Sequence, residues 1–231
     1  MAAAGDQEAE LPAAGDPDVA SPADLVRRME LVALAQGIDL GQIRAVSGWA
    51  AGAEISADRD KVAVVLRPGE GFLVRICLPG VLAWSEGWTD DLAAVVGVAD
   101  LWRRGGRLRE LHDRFPFMSW SELNQAFEDG DPAPTKWRQL LSSEWHLRDR
   151  PFLQAAHAHP ELRMFYPDIS HRSLMLSRNP FDPASDLAKI TPLSEGHYRV
   201  VGGAVEFRRE VTSLTEALEV TAACFRSLPD S

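Results

Sequence analysis

The chain has 231 residues, of which 45% are apolar and 25% charged, and its formal net charge is −10. These values fit a soluble globular protein with enough material for a sizeable core. They exclude a nucleic-acid partner, which needs clustered Lys and Arg. No apolar run reaches the length of a membrane span, and the N-terminus lacks the basic and apolar regions of a secretory signal, so a cytoplasmic location is expected. Cys77 and Cys224 sit far apart in apolar surroundings, the setting of reduced thiols and not of a disulfide framework.

Residues 1–20 hold Asp6, Glu8, Glu10, Asp16 and Asp18 without one Lys or Arg, and so carry half of the net charge. Ala, Gly and Pro fill the rest without periodicity, which predicts a disordered acidic tail. Residues 21–231 are expected to form a single α+β domain. Ser21 can cap a helix, Pro22 suits its first position and Asp24 its first turn. Leu25, Met29 and Val32 then share a face until Gly37.

Between Arg44 and Glu86 the period changes to that of strands. Ala53–Ala57, Lys61–Arg67, Phe72–Leu78 and Val81–Ser85 read as an antiparallel meander, punctuated by Pro68-Gly69-Glu70-Gly71 and Pro79-Gly80. Thr89 is expected to cap the next helix, with Leu92, Val95, Val96, Ala99 and Trp102 on its core face and Gly105-Gly106 beyond its end. A short helix follows near Arg107–Arg114. Ser119 and Glu122 have the spacing of a capping box for a helix to about Asp129. Asp131-Pro132 opens another, with Trp137, Leu140 and Leu141 inward, and Arg150–Ala158 forms one more before His159-Pro160.

Leu111, Phe115, Pro116, Met118, Ser119 and Leu123 recur as Leu162, Tyr166, Pro167, Ile169, Ser170 and Leu174, each offset by 51 residues. Glu122 becomes Ser173 in the second copy, so the capping box is lost, and Ser173–Ser177 alternates as a strand does. Strands are expected near Lys189–Thr191, His197–Val201 and Ala204–Arg208. A capping box of Ser213 and Glu216 then opens a last helix facing inward with Leu214, Leu218, Thr221 and Phe225. The class is α+β: an antiparallel meander and a C-terminal β-β-α unit around a helical middle with an internal repeat.

Several of these residues also carry a family resemblance. They are Gly87-Trp88-Thr89-Asp90-Asp91-Leu92, Leu111 with Phe115-Pro116-Phe117, and Glu128 and Gly130 with Trp137. Phe165-Tyr166-Pro167, Ile169-Ser170-His171 and Leu174 follow, then Gly196-His197-Tyr198-Arg199-Val200. In them the chain resembles, over about residues 60–225, the actinobacterial domain-of-unknown-function family DUF6193, whose members are commonly labelled natural product biosynthesis proteins. The resemblance implies a setting in specialised metabolism. It transfers no reaction and no catalytic residue.

His171 is the best candidate for chemistry, because the second copy of the repeat places an imidazole where the first has Trp120. With Asp168 beside it, it can serve as a general acid or base, or else pack its ring in a turn. Arg163, Arg172 and Arg178 are candidates for an anionic ligand, since a guanidinium fork matches carboxylate or phosphate. They can equally pair with Asp168, Asp182 and Asp186. His157 and His159 fall on different helix faces, so with His171 they do not read as a metal site. Arg103-Arg104-Gly105-Gly106-Arg107 reads as a helix end and not as a phosphate loop. No cofactor is indicated.

The expectation is a non-catalytic accessory protein of natural product biosynthesis. It would recognise a small molecule, a peptide of the pathway or a partner enzyme. Two alternatives stand beside it: a small cofactor-free enzyme using His171 with Asp168 and the nearby arginines, and a protein-binding module such as an immunity or scaffold protein.

Overall fold

Ser21 opens the first helix, α1 (Pro22–Ala35), by accepting the Asp24 N–H on its hydroxyl. Leu25, Met29 and Ala33 form the buried stripe, Val32 lying beside it. The computed structural model describes residues 21–47, 51–57, 61–67, 70–77, 83–181, 187–194, 196–202 and 207–227. The expected acidic tail, the Pro79-Gly80 turn, Gly203, Asp182 and Asp186 lie outside them. The class is α+β. The chain groups into two compact units that divide between Ser121 and Glu122.

The first unit continues as a five-stranded antiparallel meander: β1 (Ile43–Val46), β2 (Ala51–Ser56), β3 (Lys61–Arg67), β4 (Gly71–Cys77) and β5 (Ser85–Thr89). Register aligns Ile55, Val62 and Ile76, then Ala53, Val64 and Val74, on one face, all of them fully or almost fully buried. α1 and α2 (Leu92–Arg103) share that core, the latter through Val95, Val96 and Ala99. β1 was not legible as a strand.

Two expectations are corrected here. Val81 and Leu82 of the expected strand lie outside the described residues, Ala83 and Trp84 are not strand, and the fifth strand begins at Ser85, because Ser85 pairs with Ile76 and Thr89 with Phe72. Thr89 is thus the last strand residue, and its hydroxyl accepts from the Asp91 N–H. The cap of α2 is Asp91, which accepts from Ala93 N–H at 2.8 Å.

At the end of α2, Gly106 N–H bonds to Leu101 O and Gly105 N–H to Trp102 O. This is a Schellman end with Gly105 left-handed at φ 85°. Arg104 pairs with Asp100 and Arg103 donates to the Asp39 carbonyl, so the basic run belongs to the helix end. α3 (Leu108–Arg114) follows. Ser119 caps nothing: it forms a β-bridge with Glu86, each backbone N–H donating to the other's carbonyl at 2.9 Å. A Cβ on Gly87 would stand 2.2 Å from the Phe117 carbonyl oxygen, so only glycine lets this segment lie on β5.

The second unit begins with α4 (Glu122–Glu128), α5 (Pro132–Ser142) and α6 (Arg150–Ala158). It then forms its own five-stranded antiparallel meander: β6 (Tyr166–Ser170), β7 (Ser173–Ser177), β8 (Leu187–Ser194), β9 (His197–Gly202) and β10 (Phe207–Val211), and closes with α7 (Leu214–Arg226). Of the expected last strand Ala204–Arg208, Ala204, Val205 and Glu206 lie outside the described residues, and the described strand runs on to Val211, its register setting Phe207 against Gly202 and Val211 against Tyr198. Leu174, Ile190 and Val200 align, as do Leu176 and Ala188, and these five join Trp137, Leu153 and Phe225 from the helices in one core.

The two copies of the sequence repeat fold differently. The first is a helix end, a turn and a bridge, and the second is the β6–β7 hairpin. The stronger likeness is architectural, a helix, five meandering strands and a helix in each unit. In both, the last two strands carry an Arg–Glu pair 11 residues apart, Arg75 with Glu86 and Arg199 with Glu210. Among the described residues no helix is long and apolar enough to cross a membrane.

Candidate functional site

Pairing of β6 with β7 closes at Ser170 and Ser173, which leaves His171 and Arg172 as a two-residue turn. Both are left-handed, at φ 48° and 63°. Such turns need positive φ at both central positions and are normally made by Asn-Gly. Larger side chains adopt this conformation at a cost, and such outliers gather at functional sites.

Arg172 uses the position to reach Asp149, its Nε donating to the carboxylate at 3.3 Å. Asp149 stands immediately before α6 but makes no side-chain cap hydrogen bond there. Its carboxylate is 12% exposed and committed to Arg172.

β8 runs on past this turn. Its pairing with β7 ends at Ile190 opposite Leu174, with the Ser173 and Thr191 hydroxyls 2.9 Å apart just beyond. Pro192 to Ser194 continue alongside β9 alone, and the register shifts between them, so Leu193 sits in a bulge. Bulges re-aim side chains and are common beside binding sites.

Between this extension, the turn and the starts of α6 and α7 lies a cleft of about 450 Å³, within the range of small-ligand sites. Pro151, Phe152, Tyr198, Leu193 and Leu214 give it apolar walls. The rings of Phe152 and Tyr198 lie 6.1 Å apart. Its charged groups are Arg148, Asp149 and Arg172, two guanidiniums against one carboxylate. Arg148 is exposed and has no ion-pair partner among the described residues. The arrangement suits an anionic group joined to an apolar body.

Of the sequence candidates, only Arg172 lines this cleft. His171 is exposed at the tip, its Nδ1 3.0 Å from Ser170 Oγ. Asp168, three residues earlier on β6, pairs with Lys136 Nζ at 3.5 Å. Burial and the Asp168 charge push the neighbouring Tyr166 phenol up to about 12. Arg178 follows the far end of β7 and donates to the Phe225 carbonyl at 2.9 Å. Arg163 is exposed on the single 3₁₀ turn Leu162–Met164 that leads into β6. Five strand residues separate Arg172 from Arg178, roughly 20 Å along β7, so the three arginines do not converge.

His157 packs on Trp137 while His159 faces Glu219 at 3.5 Å. Among the described residues no three His, Cys, Asp or Glu side chains cluster as metal ligands would.

Arg148, Asp149, Phe152 and Tyr198 were not among the site candidates read from the sequence. Two local signals pointed to them. One is the Asp149-Arg150-Pro151 helix start, and the other is a turn spelled His-Arg where Asn-Gly is the usual choice.

A family model matches the C-terminal part of the chain. Residues 133–231 match the one described as "Family of unknown function (DUF6193)". The match takes in α5 through α7, and with them every residue of the cleft. Of the residues that carry the resemblance, Gly87–Leu92, Leu111, Phe115–Phe117, Glu128 and Gly130 lie outside it. No curated protein and no solved structure matches the chain.

Proposed function

We propose that this protein is a non-catalytic accessory protein of natural product biosynthesis, acting in the cytoplasm of an actinobacterium by binding an anionic pathway molecule or peptide in the cleft of its second unit. The setting rests on the residues that resemble DUF6193. The binding role rests on one observation, the cleft in which Arg148 and Arg172 stand over apolar walls.

The test is a thermal-shift screen of the wild type and Arg148→Ala against the metabolites and peptides of its own gene neighbourhood. Arg148 is the better substitution, because it leaves the Arg172–Asp149 pair intact. A ligand held at about a hundred times its Kd stabilises a protein by about 2.7 kcal/mol, so a ligand of the cleft raises the wild-type Tm by several degrees and that of the variant by much less. Equal shifts in both proteins, or turnover of a pathway molecule by the isolated protein, would count against the reading.

A further inference from the structure

We infer that the cleft takes the free carboxy-terminal end of an extended peptide, its carboxylate held by Arg148 and Arg172 and its last side chain placed against Phe152, Tyr198 and Leu214. The inference rests on the binding role proposed above and names the class of ligand.

The geometry supplies each part of such a site. Arg172 sits on a left-handed turn position that favours glycine, and its guanidinium lies at the cleft beside Asp149. One carboxylate against two guanidiniums leaves the second free for an incoming anion. The α6 start adds to this, because no side chain caps it and its first-turn N–H groups and dipole favour negative charge.

What points to a peptide and not only a small acid is the strand edge. Beyond Ile190, β8 has no strand partner on the β7 side among the described residues, where Thr191, Leu193 and Ser194 but not Pro192 carry an N–H, and Leu193 is bulged out of its pairing with β9. An extended chain can add to such an edge through main-chain hydrogen bonds, while a pocket reads its side chain. The approach to Arg148 is also apolar and exposed. Trp145 and Leu147, just ahead of it, are 94% and 56% exposed, and Trp is among the residues enriched at interface hot spots.

The experiment measures fluorescence polarisation on the full chain. The probes are fluorescein-labelled hexapeptide pools ending in Leu or Phe, made once with a free carboxylate and once as the carboxamide. The expected result is binding of the acid pool at least about tenfold tighter than the amide pool, the effect of one charge-assisted hydrogen bond. Arg148→Ala is expected to abolish that difference. The double variant His171→Asn, Arg172→Gly installs the residues the turn prefers and serves as the folding control. It should melt cooperatively and still bind the acid pool at least tenfold more weakly.

Equal affinity for acid and amide, with binding still lost in Arg148→Ala, would overturn the carboxylate clamp while leaving the cleft a binding site. Competition by N-acetyl-leucine as effective as that of the unlabelled hexapeptides would overturn the peptide and assign the cleft to a small acid. No binding of either pool would overturn the inference, and the thermal-shift screen would then judge the binding role separately.

Discussion

Glu54 lies on the face of the first sheet opposite its core, where its two carboxylate oxygens accept from Lys61 and Arg44 on the flanking strands. The hydrogen bond from Lys61 and then that from Arg44 hold its carboxyl below the usual range, against a smaller opposing effect of burial. A depressed carboxylate stabilises the fold above the unfolded-state pKa, and that stability is lost as pH falls through the folded value. Arg44 and Lys61 are well exposed, at 72% and 49%, so screening keeps the contribution within about 1 kcal/mol. Glu54→Gln is therefore expected to lower stability by up to that amount at neutral pH and to match the wild type in strong acid. Urea melts at both pH values measure this, and an equal difference at both would show that the charge plays no part. Such a site is hidden from sequence inspection, because its three members come from three strands whose register only the fold sets.

At the scale of elements, local signals decided where local chemistry was sufficient. Lys61–Arg67, Ser173–Ser177 and Arg150–Ala158 are elements with the expected bounds, since period and punctuation agree there. At the start of α7 the Ser213 half of the expected capping box forms, Glu216 N–H donating to Ser213 Oγ at 3.2 Å, while the Glu216 carboxylate accepts from Arg209 instead. Removing that acceptor leaves a first-turn N–H without its partner, so Ser213→Ala should cost about 1 kcal/mol, read from a chemical-denaturation midpoint at unchanged slope. Ser119-Trp120-Ser121-Glu122 has the same spacing and fails as a cap, because Ser119 is already spent on Glu86 across the fold. Tertiary pairing likewise moved β5 to Ser85–Thr89, and turned the second copy of the repeat into a hairpin. For the cleft, Arg172 was legible as a candidate anion ligand and does line it, but its companions Arg148, Phe152 and Tyr198 join it only through the β8 extension and the α6 start. Arg163 and Arg178 share its residue type and its neighbourhood in sequence, but the fold places neither at this cleft.

For the whole molecule, the question is whether the second unit is a folding unit in its own right. Its core runs from Trp137 to Phe225 and brings together Leu153 from α6, Leu174, Ile190 and Val200 from three strands of one sheet, and Leu218 from α7. The family match, residues 133–231, falls wholly within this unit. A domain of this size can bury enough apolar surface to fold alone. Residues 122–231 expressed by themselves should therefore melt in one cooperative transition, and should show the same Arg148-dependent ligand response as the full chain. The measurement is a calorimetric scan of the fragment, with and without whichever ligand the thermal-shift screen identifies. A broad, non-cooperative melt would mean that residues before Glu122 contribute to folding of the second unit, and a cooperative fragment that has lost the ligand response would mean that they contribute to its site.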